Sequence, residues 1–191
     1  MWETKLVLKL GYRDSADVVA LVNQFIRLKA EFEKARITWA IFAGAAAHAY
    51  GSTRRITDID ILVKKNDMRK VESVLGLSIR NMQTKVDSID LVFEVGIKTE
   101  SKIMRFFMDE EMQKNLRYRR LYELEVPVVP LEDNIILKAA LGRGSDQGKF
   151  DLQDIIDMKK NSINHEYLKR RIKFYNVEEI VVPILSNLNV L

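Results

Sequence analysis

The sequence predicts an α/β (α+β) fold. A sheet-bearing half covers residues 1–100, and a mainly helical C-terminal region, 101–191, completes a cleft against it. Three observations predict this. The run ITWAIFA at 37–43 is apolar throughout and too short for a helix, so it reads as a buried central strand. The stretches ITDIDILV at 56–63 and VDSIDLVFEV at 86–95 alternate with the strand period of two. From Leu131 onward the pattern turns helical.

The elements follow in order. TKLVLKL at 4–10 reads as a short strand. From Asp14 to about Lys34, Val18, Leu21, Val22, Phe25, Leu28 and Phe32 fall on one helical face, with Asp14 or Ser15 as N-cap. Gly44 ends the central strand, and AAAHAY begins a short helix. Residues 66–75 are helical. The charged, mixed stretch 99–120 carries no clear period. ELEVPVVP at 123–130 gives one or two short strands broken by Pro127 and Pro130. Helices are expected over 131–141, 150–160, 163–175 and 178–188, with a glycine loop at 142–148.

Composition narrows the function. The 191 residues contain no cysteine and two histidines, which excludes disulfides and iron–sulfur clusters and argues against zinc. The formal net charge of +4 suits a nucleotide or nucleic-acid partner without requiring one. No apolar run approaches the roughly 18 residues of a membrane span, and the N-terminus lacks a signal-peptide layout, so a cytoplasmic protein is expected.

The chemistry gathers around two aspartates. In a strand, Asp58 and Asp60 point to one face and Ile59 and Ile61 to the other. Two ionised carboxylates about 7 Å apart along a strand repel unless one takes a proton or a cation sits between them. A hard divalent cation such as Mg²⁺ or Mn²⁺ answers that need, because it prefers oxygen ligands. The plain alternative is a pair of solvated residues at the start of a strand. SIDLVFEV repeats the design, and Asp90 offers a third carboxylate from a second strand. Asp87 has the wrong parity, and Glu94 lies roughly 13 Å farther along. Asp90 is therefore preferred, with Glu94 as fallback. Three convergent carboxylates suit metal-assisted phosphoryl or nucleotidyl transfer. Gly44, between a strand and a helix, would let a phosphate approach the main chain.

Together these features resemble the nucleotidyltransferase superfamily, the polymerase-β-like fold. Its signature is hydrophobic–Gly–small, a short helix, D-h-D and a later h-D-h. Here these are FAGA at 42–45, DID at 58–60 and IDL at 89–91. The stretch from Gly51 to Asp60, G-x-x-x-R-x-T-D-I-D, resembles the branch of abortive-infection toxins and minimal nucleotidyltransferases. That branch continues much as VPVVPLEDNIILKAALGRGSDQGKFDLQDI does at 126–155. The chain departs from it at Gly44-Ala45, where many members have Gly-Gly or Gly-Ser. It departs again at Lys149-Phe150-Asp151, where a residue is inserted into a Lys-Asp pair.

The resemblance implies a mixed sheet and an ATP-binding or other nucleoside triphosphate site. It implies that Asp58, Asp60 and Asp90 bind the catalytic metal, Asp90 also serving to deprotonate the acceptor. It places Gly44, Ala45, Arg55, Thr57, Lys138 and Asp154 around the nucleotide, with Lys138 also catalytic; Asp151 competes with Asp154 for its role. On the residues alone, Lys138 in IILKAAL lies either on a solvent stripe with Asn134 or aims at an anion.

The expected reaction moves a nucleoside monophosphate from a nucleoside triphosphate to an acceptor hydroxyl. The toxin-like branch and the positive charge suggest RNA, a tRNA 3′ end for instance, and a toxin–antitoxin role with a cognate antitoxin protein. Protein and small-molecule hydroxyls stay open. The alternative is a non-catalytic nucleotide- or RNA-binding module acting with a protein partner. KNLRYRRLY at 114–122, basic with two tyrosines, reads as a solvated face or, if RNA is the acceptor, as its contact through Arg117, Arg119 and Arg120. GRGSDQGKF at 142–150 is not a P-loop, because Arg143 stands where glycine is required.

Overall fold

The computed structural model describes residues 16–54, 56, 58–99, 102–144 and 149–191. The expected strand at 4–10 and the caps at Asp14 and Ser15 lie outside these residues. Helix α1, Ala16–Lys34, buries the face its spacing predicts, from Val18 to Phe32. Phe25 and Phe32 both pack edge-on against Trp39, with ring centroids 6.0 and 6.4 Å apart. This seats α1 on strand β1, Trp39–Ile41.

A six-stranded sheet forms the centre, in the order β3-β4-β2-β1-β8-β7. Its strands are β1, β2 (Ile59–Val63), β3 (Gln83–Val86), β4 (Ile89–Val92), β7 (Arg117–Leu121) and β8 (Leu124–Val128). The sheet is mixed. β2 runs parallel to β4 and β1 parallel to β8, while β1–β2, β3–β4 and β7–β8 are antiparallel. Strands β5 (Val95–Lys98) and β6 (Ile103–Phe106) pair as a separate antiparallel ribbon.

Several expected boundaries move, each for a local reason. The strand expected over 37–43 stops at Ile41, because Phe42 turns to donate its N–H to the Asp60 carbonyl and Ala43 takes a left-handed φ of 53°. Of the single strand expected over 86–95, Ile89–Val92 forms β4; a tight turn, in which Asp87 has a φ of 52°, joins it to Val86 at the end of β3, and Val95 opens β5. That turn removes Asp87 from the face it would share in an unbroken strand. The sheet also runs past residue 100, since β7 and β8 extend it to Val128.

Helices α2 (Ala43–Ala49) and α3 (Met68–Leu75) flank the sheet, α3 preceded by a 3₁₀ turn at Lys65–Asp67 and ended by left-handed Gly76. Helix α4 spans Glu110–Lys114, capped by the Asp109 carboxylate accepting from the Met112 N–H. Helices α5 (Leu131–Leu141), α6 (Asp151–Met158), α7 (His165–Tyr175) and α8 (Glu178–Asn187) form the C-terminal part, near their predicted limits.

Helix α5 is the joint between the two parts. Every residue from Leu131 to Ala139 is buried, including Glu132, Asp133, Asn134 and Lys138. Buried polar groups need partners, and each of these has them. Glu132 accepts two hydrogen bonds from Arg117 of β7, at 3.0 and 3.1 Å, and the Asn164 N–H at 2.8 Å. Asp133 accepts from Arg171 Nε at 2.7 Å and from the Tyr167 and Tyr175 hydroxyls at 2.6 and 2.9 Å. Asn134 clamps the Ala43 backbone, and Lys138 reaches α6. A stack of Phe42, Phe106 and Tyr175 adds an apolar link between β1, the ribbon and α7.

Candidate active site

Strands β2 and β4 bring the acids together. Their parallel register pairs Asp60 directly with Asp90, so both side chains leave the same face of the sheet at neighbouring positions. Asp58 precedes β2 by one residue and is exposed. All three line one cavity of about 600 Å³. Cations surround them on two walls: Arg80 and Lys85 from the β3 side, Arg143 and Lys149 from the helical side. Phe42, Val92, Ile97 and Leu137 supply apolar lining.

The Asp60 carboxyl is pushed up from its usual 3.8 to about 6. Burial contributes most, and the neighbouring charges of Asp58 and Asp90 add to it. Lys138 and Lys149 pull in the other direction. The like-charge repulsion expected from the sequence is present, second to burial. Among the described residues, however, no three acidic or histidine side chains stand close enough to hold an ion as they are. Lys85 engages Asp90 across β3–β4 at 3.3 Å.

Glu94 is committed elsewhere. It is ion-paired with Lys65 and lies 3.4 Å from Arg105. It is not among the described residues lining the cavity.

The expectations for Lys138 and Asp154 meet a different arrangement. Neither is among the described lining residues of the cavity. Lys138 is buried, its Nζ 2.8 Å from Asp151 Oδ1 and 2.7 Å from Asp154 Oδ2. The solvent stripe with Asn134 is excluded as well, since both residues are buried. Asp154 accepts a hydrogen bond from Ser52 Oγ at 2.9 Å and lies 3.5 Å from an Arg54 nitrogen. Asp151 also takes Arg143 Nε at 2.7 Å. Burial alone would raise the Asp151 carboxyl, but hydrogen bonds from Arg143 and Lys138 outweigh it and hold the group below the carboxylate range.

Gly44 makes room for a side chain. A Cβ there would lie 2.8 Å from an Arg54 guanidinium nitrogen, the same nitrogen that reaches Asp154. Ala45 is fully buried. The strained residue at this turn is Ala43, whose left-handed φ costs an alanine about 1–2 kcal/mol. Asn134 holds it there: its Oδ1 accepts the Ala43 N–H at 2.8 Å, and its Nδ2 donates to the Ala43 carbonyl at 3.1 Å. Arg55 and Thr57 lie outside the described residues. His48 caps locally, its Nδ1 3.2 Å from the Arg54 carbonyl.

The basic strand β7 is elsewhere. It forms the sheet edge three positions from β2, roughly 14 Å away at usual strand spacing. Arg117 is held by buried Glu132, and Arg120 lies 3.9 Å from Glu123. Arg117 therefore anchors α5, while Arg119 and Arg120 are exposed. Sequence reasoning missed Arg80, Lys85 and Arg143 as cavity residues. Only the parity of Lys85 against Asp90 could have signalled one of them, and it required recognising β3.

Comparison with known proteins agrees with this geometry. Residues 43–189 match the model of a family described as "Nucleotidyl transferase of unknown function (DUF2204)". A search of curated proteins finds no match to the chain. Among solved structures, the antibiotic-resistance factor ANT(2'')-Ia is similar with a TM-score of 0.58 at 14% identity, covering 85% of this chain and 97% of that one. The lincosamide antibiotic adenylyltransferase LnuA, bound to lincomycin, gives a TM-score of 0.48 at 13% identity, covering 71% and 96%. The first of these establishes the shared fold.

Proposed function

The chain belongs to the DUF2204 family of nucleotidyl transferases, and on that premise we propose that it transfers a nucleoside monophosphate from a nucleoside triphosphate to an acceptor hydroxyl at the Asp58–Asp60–Asp90 cavity. One observation carries the reading: three carboxylates from adjacent parallel strands open onto a single cavity whose walls hold four cations. The donor chemistry fits a hard divalent cation. The acids are oxygen donors, and burial, with the added charges of Asp58 and Asp90, raises the Asp60 carboxyl. Asp58, Asp60 and Asp90 would hold Mg²⁺ or Mn²⁺. When bound, such a cation neutralises charge on the transferring phosphoryl group.

The chain's own residues supply the rest. Arg143 and Lys149 face the polyphosphate from the helical wall, beside the Ala43–Gly44 turn. Asn134 fixes that turn, so the groups that orient the phosphates are in place before the nucleotide arrives. Asp90 takes the proton of the attacking hydroxyl once Lys85 yields it. Lys138 is a positioning residue: it ties α6 to α5, and its field lowers the proton affinity of Asp60.

An RNA acceptor, a toxin role and an antitoxin partner were suggested by resemblance and by KNLRYRRLY. With Arg117 tied to Glu132, exposed Arg119 and Arg120 carry what support that segment gives an RNA contact.

The test is incubation with Mg²⁺, each α-labelled nucleoside triphosphate and separate pools of small alcohols, proteins and RNA. Label should move to one pool with release of pyrophosphate, and Asp58→Asn and Asp60→Asn should abolish it. A folded protein that releases no pyrophosphate with any nucleotide and pool would overturn the reading.

A further inference from the structure

The wall of the cavity on the β3 side has no part in the motifs that mark the family resemblance. Arg80, Asn81, Gln83, Thr84 and Lys85 all line it, from one short segment. The turn that presents them is strained. Asn81 and Met82 both take left-handed φ values, 56° and 58°, and the Gln83 N–H returns to the Arg80 carbonyl. That is the two-residue turn whose backbone favours glycine and asparagine, and a methionine there is costly. Backbone bonding helps to hold it: the Phe93 N–H donates to the Met82 carbonyl at 2.8 Å. The outcome is a fixed rim of two cations, two amides and a hydroxyl, with no acid of its own.

The two walls have separate tasks. Arg143 and Lys149 share the helical side with the Ala43 turn, which α5 itself clamps through Asn134. The rim stands across the carboxylates, on the sheet edge beyond β4. A triphosphate held on the helical side leaves Arg80 and Lys85 without an anion of substrate origin, apart from the contact of Lys85 with Asp90.

We infer that the 80–85 rim is the acceptor subsite and that the acceptor carries an anionic group, a phosphate in the first instance, beside the hydroxyl that is nucleotidylated. This rests on the proposed nucleotidyl transfer. In the step, the acceptor oxygen bonds to the α-phosphorus and the bond from that phosphorus to the β-phosphate oxygen breaks. Pyrophosphate leaves, and the hydroxyl proton passes to the Asp90 carboxylate. Lys85 moves from Asp90 to the acceptor anion, so acceptor binding itself frees that carboxylate to take the proton. A polycationic amino sugar meets its own sign of charge on this wall and is rejected. The phosphate could sit on a small alcohol or at the end of a nucleic acid; the chemistry recognised is the same.

The experiment measures acceptor KM and nucleotide Kd separately. The probes are ribose 5-phosphate, glycerol 3-phosphate, a short RNA, uncharged ribose and glycerol, and an aminoglycoside, each with Mg²⁺ and labelled nucleoside triphosphate. The anionic alcohols or the RNA end should be used at least tenfold better than their uncharged counterparts, and which of them prevails identifies the source of the phosphate. Arg80→Gln/Lys85→Gln should raise the acceptor KM at least tenfold while changing nucleotide Kd less than threefold. Both side chains are exposed, so the variant keeps its fold. Equal or better transfer to uncharged or polycationic acceptors overturns the inference while leaving nucleotidyl transfer standing. So does an unchanged KM in the double variant. No transfer and no pyrophosphate release with any probe or pool defeats the underlying reading instead.

Discussion

Two groups of aspartates lie close together in this molecule and behave in opposite ways. Asp151 and Asp154, on α6, are buried and matched by Lys138, Arg143 and Arg54. Their charges balance, and Asp151 ionises more readily than usual. Asp58, Asp60 and Asp90, at the sheet, open onto one cavity, Lys85 pairs with Asp90, and Asp60 ionises less readily than usual. The same residue type thus serves cohesion in one place and stored repulsion in the other. A buried carboxyl raised beside two like charges, on the wall of a cavity, is a candidate functional site.

The contrast can be broken most forcefully at Lys138. Lys138→Ala leaves two buried carboxylates without their shared cation and should cost about 3–5 kcal/mol of stability, read as a lowered denaturation midpoint. A loss below about 1 kcal/mol would mean that the cluster is not the structural joint described. At the sheet the sign reverses. Asp60→Asn removes one repelling charge and should stabilise the metal-free protein by about 1–2 kcal/mol at pH 7.5, while abolishing transfer. A destabilised variant would show that Asp60 is compensated after all.

The pH dependence follows from the same shift. The folded Asp60 carboxyl titrates near 6 against 3.8 ordinarily, so between these values the folded state holds a proton that the unfolded state has released. Its contribution is full below about pH 4 and is lost as pH rises through 6. The thermal midpoint of wild type minus that of Asp60→Asn should therefore fall across this window, and Mg²⁺ with nucleotide should flatten the fall. A difference independent of pH would contradict the shift. The smallest effect is expected at Glu94, half-buried and paired with Lys65 and Arg105. Glu94→Gln should change stability by less than about 1 kcal/mol and leave metal-dependent nucleotide binding intact.

The helices were legible because their signal is local. The spacing from Val18 to Phe32, and the runs that became α5 to α8, carry their period within one element. The acids of the site were legible for the same reason, since a two-residue period puts Asp58 and Asp60 on one face and gives Asp90 its parity. What could not be read depends on distant partners. Lys138 looked aimed at an anion; it was, but at Asp151 and Asp154, which meet it only when α6 folds onto α5. Asn134 clamps a backbone 91 residues away. Strand β3 escaped notice because QTKV is short, edge-lying and mostly polar, and with it went Lys85 and the rim. Strands β6 and β7 were hidden within 99–120, where exposed edge positions carry charges rather than an apolar period.

The central claim is that the Asp58, Asp60 and Asp90 carboxylates take up a divalent cation together with nucleotide. Calorimetric titration of Mg²⁺ into the protein with a non-hydrolysable nucleoside triphosphate tests it directly. The wild type should show saturable, metal-dependent binding, and Asp58→Asn and Asp60→Asn should each lose it while remaining folded. Identical metal-dependent binding in wild type and both variants would contradict the account.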